Sequence, residues 1–149
     1  MIRKSLLDLN VLIALTDPDH RHHRTAQAWF VSAGKESWGI CPLTEAGFVR
    51  VTTNPAFRSG LLTLEQAVAI LQALKGHAGY WYWQIDESWV TLTAPFAARI
   101  LGHQQVTDAY LLGLAIKENG VLVTFDRGIA YMAGGEFSRN VLILESSSS

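Results

Sequence analysis

Four acidic residues stand in short, distinctive settings. They are Asp8 in Leu6-Leu7-Asp8-Leu9-Asn10, Glu45 in Pro42-Leu43-Thr44-Glu45, Asp108 in Val106-Thr107-Asp108-Ala109-Tyr110, and Asp126 in Thr124-Phe125-Asp126-Arg127-Gly128. Asp8 and Asp126 close apolar, strand-like runs, Glu45 follows one within a few residues, and Asp108 opens an apolar helical stretch. Each has an ordinary reading alone, since helix starts favour carboxylates and Asp-Arg-Gly makes a common turn. Together they are harder to explain that way. A charge at the end of a buried strand is costly unless something pairs with it. No lysine follows Lys117, and Arg127 and Arg139 are the only later cations. If the strands are parallel neighbours, the four carboxylates meet at one sheet edge. Such a group is a poor device for stability and a good one for holding a divalent cation, because Mg²⁺ and Mn²⁺ prefer carboxylate and water oxygens.

The neighbours suit the same chemistry. Asn10 lies two residues after Asp8 and Thr124 two before Asp126. In extended backbone, residues two apart share a face, so both are expected to support the acids. Asn10 also has the alternative role of helix cap. Arg50, Arg58 and Arg127 are candidates for binding phosphate groups, which guanidinium groups grip bidentately, with surface ion pairs as the alternative. The run Asp19-His20-Arg21-His22-His23 lacks the spacing of a tetrahedral metal motif, and it reads as surface histidines. Tyr80-Trp81-Tyr82-Trp83 could stack bases but is better read as an amphipathic strand between core and a partner surface.

The elements that must position these residues alternate. Strands are expected at 6–9, 38–41, 80–85, 121–125 and 141–144. Helices are expected at 11–15 (capped by Asn10), 22–32, 44–51, 64–74 (capped by Thr63), 94–101 and 108–117 (capped by Thr107). Strands alternating with helices imply an α/β sandwich with a mainly parallel sheet. In such sheets ligands bind beyond the carboxyl ends of the strands, where the strand order reverses.

Composition bounds the rest. The chain has 149 residues, 49% hydrophobic, which suits one domain over residues 1–145 followed by a polar tail, 146–149. A formal charge of −1 gives no overall basic footprint for nucleic acid. The single cysteine, Cys41, cannot form an internal disulfide and fits a reducing, cytoplasmic setting. No apolar run is long enough for a membrane span, and Asp8, Asn10 and Asp17 interrupt any signal-like start.

The segments around Asp8, Glu45, Asp108 and Asp126 resemble, in order and combination, those of the PIN domain, and more closely those of VapC-type toxins of bacterial toxin–antitoxin pairs. The resemblance spans Leu6 to Gly128, and none of the four acidic positions departs from the pattern. It implies a PIN-like fold, a three-layer α/β/α sandwich, and a ribonuclease dependent on Mg²⁺ or Mn²⁺. By position, Asp8, Glu45, Asp108 and Asp126 are the catalytic set, with Asp8 and Asp108 as direct metal ligands. Asp126 and Glu45 would hold metal through water, hold a second ion, or position water. The resemblance also implies a homodimer and a small antitoxin partner. Five tryptophans in a small chain, with Val11, Leu12, Leu15 and Tyr80 to Trp83, suggest an apolar dimer face. Two other readings compete. A phosphoryl-transfer or receiver-type domain also sets acids beside Mg²⁺, but it wants a late lysine, and phosphatases of that kind want a second Asp where Asn10 stands. A non-catalytic PIN-like module would not need an intact acidic set.

Overall fold

The computed structural model describes residues 3–57 and 61–145. Arg58 and the tail 146–149 lie outside the described residues. Four short strands, β1 (Ser5–Leu7), β2 (Trp38–Gly39), β3 (Val121–Thr124) and β4 (Val141–Ile143), pair in the order β2-β1-β3-β4, all parallel. The expected α/β/α sandwich is what forms.

Alternation along the strands builds two cores. Leu6 and Leu122 point into one, with Phe96, Leu112 and Met132; Leu7 and Val123 point into the other, with Leu12, Trp38 and Phe48. Successive strand residues face opposite sides, so a sheet with apolar neighbours at every position must be covered on both faces. Helices α1 (Leu9–Thr16), α3 (Pro42–Thr52) and α4 (Leu64–Lys75) cover one face. Helices α5 (Trp89–Thr93), α6 (Val106–Lys117) and α7 (Arg127–Ala133) cover the other, and α2 (His23–Ser32) packs on α1. From β1 the chain crosses to β2 on one side, and β3 and β4 lie on the other. The strand order therefore reverses between the carboxyl ends of β1 and β3.

Several boundaries differ from the sequence expectation, each for a local reason. The first strand stops at Leu7 because Asp8, not Asn10, caps α1, its carboxylate accepting the Leu9 N–H at 2.8 Å. Asn10 is thus an exposed residue of the first helical turn, and the extended geometry that would align it with Asp8 is absent. Helix α6 starts at Val106, so Thr107 is inside it rather than its cap. The aromatic segment 80–85 is extended along β2, with Trp81 N–H donating to the Trp38 carbonyl and Trp83 N–H to that of Ile40, but it makes only an isolated bridge at Tyr80. The helix expected at 94–101 is α5 followed by a 3-10 turn, Ala94–Arg99, with Pro95 near its start. Thr63 caps α4 as expected, in a reciprocal capping box with Gln66.

Val11 and Leu12 are fully buried inside the chain, so they are not part of a dimer face. Trp38 and Trp83 are likewise core residues, and a surplus of unburied tryptophan no longer argues for an interface. Cys41 is free and buried. No helix of the described residues is long and apolar enough to cross a membrane.

Candidate active site

The parallel topology sends the carboxyl ends of β1, β2 and β3 into helix N-termini. Asp8 is the N-cap of α1, Asp126 the N-cap of α7, Asp108 lies in the first turn of α6, and Glu45 in the first turn of α3. Exposed N–H groups and the helix dipole favour a carboxylate at each of these positions. Local folding and site assembly thus ask for the same residue type.

Leu7 pairs with Val123, so the next residues, Asp8 and Thr124, stand side by side across β1 and β3. The fully buried Thr124 hydroxyl donates to Asp8 Oδ2 at 2.7 Å and accepts the Asp126 N–H at 3.0 Å. One hydroxyl therefore orients one acid and fixes the backbone of another. Asp126 Oδ1 accepts the Gly128 N–H at 2.8 Å. A Cβ at Gly128 would come within 3.0 Å of that oxygen and 3.4 Å of the Gln105 amide, so the turn needs glycine for close approach. Sequence reasoning passed over Gln105. Its side-chain oxygen accepts the Leu101 N–H at 2.8 Å, and its amide nitrogen lies close to Gly128 in the first turn of α7.

Electrostatics ties three of the acids together. Burial pushes the Asp8 carboxyl above its ordinary range; hydrogen bonds from Thr124 and Leu9 pull it back, and the Asp126 charge raises it again. Burial, then the charges of Asp8 and Asp126, push Asp108 up to about 6. The carboxylates of Asp8, Asp108 and Asp126 thus repel one another across the switch point. Glu45 is placed differently. Its carboxylate pairs with Lys75 Nζ of α4 at 3.1 Å, and it bears on Tyr80 and Tyr82 rather than on the three aspartates. Lys75 was not singled out in the sequence, because nothing local marks a lysine at the end of α4 as facing α3.

Arg127 flanks Asp126 and pairs with Glu145, while Arg50 is exposed in the last turn of α3. His22 stacks on the Phe125 ring at 4.8 Å, and the His20 ring lies 5.8 Å from that of His22. His23 Nδ1 lies 2.8 Å from the Ala14 carbonyl. The last lysine, Lys117, is occupied by Asp86 and Glu87, which removes it from the role a phosphoryl-transfer domain would require.

The donor set suits a hard cation, because it offers only carboxylate oxygens and their mutual repulsion would be relieved by positive charge. Among the described residues no three acidic, imidazole or thiol side chains form a group that could by itself hold a metal ion. Mg²⁺ does not ask for such a group, since it commonly keeps several waters and takes one or two carboxylates with substrate phosphate.

A parallel sheet with acids at its switch point defines an α/β protein built to hold a ligand at the carboxyl edge of the strands. More particularly, the PIN domain family model matches residues 5–135, and the chain belongs to that family. It is 40% identical over 126 residues to ribonuclease VapC39 of Mycobacterium tuberculosis, covering 85% of this chain and 91% of that relative. It is 42% identical over 129 residues to ribonuclease VapC38 of the same organism, covering 87% and 89%. Among solved structures, FitAcB from Neisseria gonorrhoeae superposes with a TM-score of 0.61 at 17% identity, over 95% of this chain and 96% of that one. DNA-bound VapBC from Salmonella typhimurium gives 0.56 at 16% identity, over 95% and 96%. At such identities these two structures speak for the fold.

Proposed function

We propose that the protein is a ribonuclease, the toxin of a toxin–antitoxin pair, and that its site works with Mg²⁺ or Mn²⁺. The observation that carries the reading is the trio Asp8, Asp108 and Asp126, whose charges act on one another, with Thr124 binding the Asp8 carboxylate and the Asp126 backbone. The names of the mycobacterial relatives support the substrate class, and the FitAcB and VapBC neighbours support an antitoxin partner.

Asp8, Asp108 and Asp126 would hold the cation. When bound, it neutralises charge on the scissile phosphate and makes water a usable nucleophile near neutral pH. The chain's own residues supply the rest. Thr124 keeps Asp8 aimed at the cluster. Glu45, at the start of α3, is the group placed to orient or deprotonate water once its carboxylate turns from Lys75. Asn10, exposed beside Asp8, can reach substrate rather than carboxylate. Arg50, Arg58 and Arg127 grip flanking phosphates.

The protein acts in the cytoplasm as a homodimer. A small antitoxin silences it by presenting a cation, most suitably an arginine, to the acidic cluster.

Cleavage of RNA by the purified chain with Mn²⁺ tests the central reading. Asp8→Asn and Asp108→Asn should each lower turnover at least about a hundredfold, as expected of groups that stabilise transition-state charge. Activity that survives EDTA, or survives in both variants, overturns it.

A further inference from the structure

Phe125 lies between two residues of the site, Thr124 and Asp126. Its partly buried ring meets the N-terminal end of α2, where His22 stacks on it with 30° between the planes. The imidazole is held in place: Arg21 Nε donates to His22 Nε2 at 3.0 Å, and the His22 N–H donates to His20 Nδ1 at 3.0 Å. A cleft of about 250 Å³ opens over the two rings, with Arg127 and Glu145 at its sides and Ile143 and Leu144 beneath. It runs on, past Ile143, Leu144 and Glu145, into a second cleft of about 370 Å³ that reaches Arg24 and Trp29 on α2. Together the two clefts are bordered by the rings of His22, Phe125 and Trp29 and by Arg24 and Arg127, and Phe125 and Arg127 flank Asp126 in the chain.

The composition selects an occupant. Unpaired bases stack on His, Phe and Arg planes and are read by hydrogen bonds at their edges. The cleft offers the platform in His22 and Phe125, and at its border the Arg127–Glu145 ion pair, whose donor and acceptor a base edge would meet by replacing part of that pairing. The exposed Arg21 and Arg24 lie where backbone phosphates would follow. We propose that the His22–Phe125 pair and the cleft it lines bind one unpaired base of the RNA, on the flank of the site where Phe125 and Arg127 border Asp126.

This subsite rests on the ribonuclease reading, and one pair of measurements separates the two. Cleavage by the wild type with Mn²⁺ reports the nuclease. Binding of single-stranded RNA decamers to the full-length Asp8→Asn chain, each carrying 2-aminopurine at one position, reports the subsite without cleavage. Stacking should quench the fluorophore at one position in the bound register. Adding His22→Ala, or Phe125→Leu, which keeps apolar bulk without a ring, should abolish that quench and weaken binding about tenfold, the scale of one stacked base. His22→Phe should restore both, which a merely structural role at the start of α2 would not require. Unchanged quench and affinity in His22→Ala, failure of His22→Phe to rescue, or decamers that do not bind at all overturn the subsite. A wild type that cuts RNA while any of these holds leaves the nuclease standing alone. A wild type that cuts no RNA removes the reading beneath both.

Discussion

Thr124 shows how much one side chain settles here. Its hydroxyl has one proton to give and spends it on Asp8, while its lone pair takes the Asp126 N–H. The sequence already marked Thr124 as a supporting residue, from its spacing to Asp126. It marked Asn10 by the same reasoning, and that failed because the backbone turns helical at Leu9, so spacing of two no longer means a shared face. The acid most changed by this arrangement is Asp108, raised from 3.8 to about 6 by burial and by the charges of Asp8 and Asp126. The folded, cation-free protein therefore holds this proton more tightly than the unfolded chain does. Between those two values the native state binds more protons, so stability falls as pH rises through the interval, and the penalty is complete above it. Asp108→Asn has no such penalty. In EDTA it should exceed the wild type in stability at about pH 7, by on the order of 1 kcal/mol once screening at this half-exposed site is allowed for. The gap should close towards pH 4. Denaturant titrations of both proteins across that range check the sign, and a gap that widens on acidification contradicts it.

At the scale of elements, what was legible followed from periodicity. The apolar runs ending at Leu7 and Thr124 and the long stretch into Lys117 announced β1, β3 and α6, and with them the position of three acids. The Thr63 capping box announced α4. The failures were of other kinds. Helix α7 was hidden because Asp-Arg-Gly reads equally as a turn, and segment 80–85 failed to become a strand although its residues favour one. The Lys75–Glu45 pair was invisible for a deeper reason: it depends on how α3 and α4 pack, which no local pattern encodes. This pair is about half exposed on its lysine side, so it adds little to stability, about 0–1 kcal/mol. Its consequence lies in where it keeps Glu45. With Lys75→Met, the Glu45 charge is no longer compensated from α4 and becomes available to a cation at the site. Half-saturation of RNA cleavage by Mn²⁺ should therefore move to several-fold lower concentration, with the unfolding midpoint nearly unchanged. An unaltered Mn²⁺ dependence would show that Glu45 acts independently of α4.

For the whole molecule, the strand order explains why the acids converge at all. The chain leaves β1 in one direction and returns at β3 on the other side, so two helix N-termini, each capped by an aspartate, meet where the sheet opens, and α6 adds a third carboxylate. Every step of that assembly is dictated by burial of a two-faced apolar sheet, yet it leaves like charges facing one another, and among the described residues no ion pair involves Asp8, Asp108 or Asp126. Folding carries that repulsion as a cost, and a bound divalent ion should return it. At about 100 times its dissociation constant, an ion that binds only the native state adds roughly 2.7 kcal/mol. Thermal melts in Mn²⁺ should accordingly shift upward for the wild type. The double variant Asp8→Asn with Asp108→Asn should melt no lower than the wild type in EDTA, because two repelling charges are gone, and should gain little from Mn²⁺. The two proteins thus exchange rank when the ion is added. That crossing separates relief of a specific charge cluster from general binding of Mn²⁺ to an acidic surface, which would raise both melts alike and would place the cation somewhere other than the switch point.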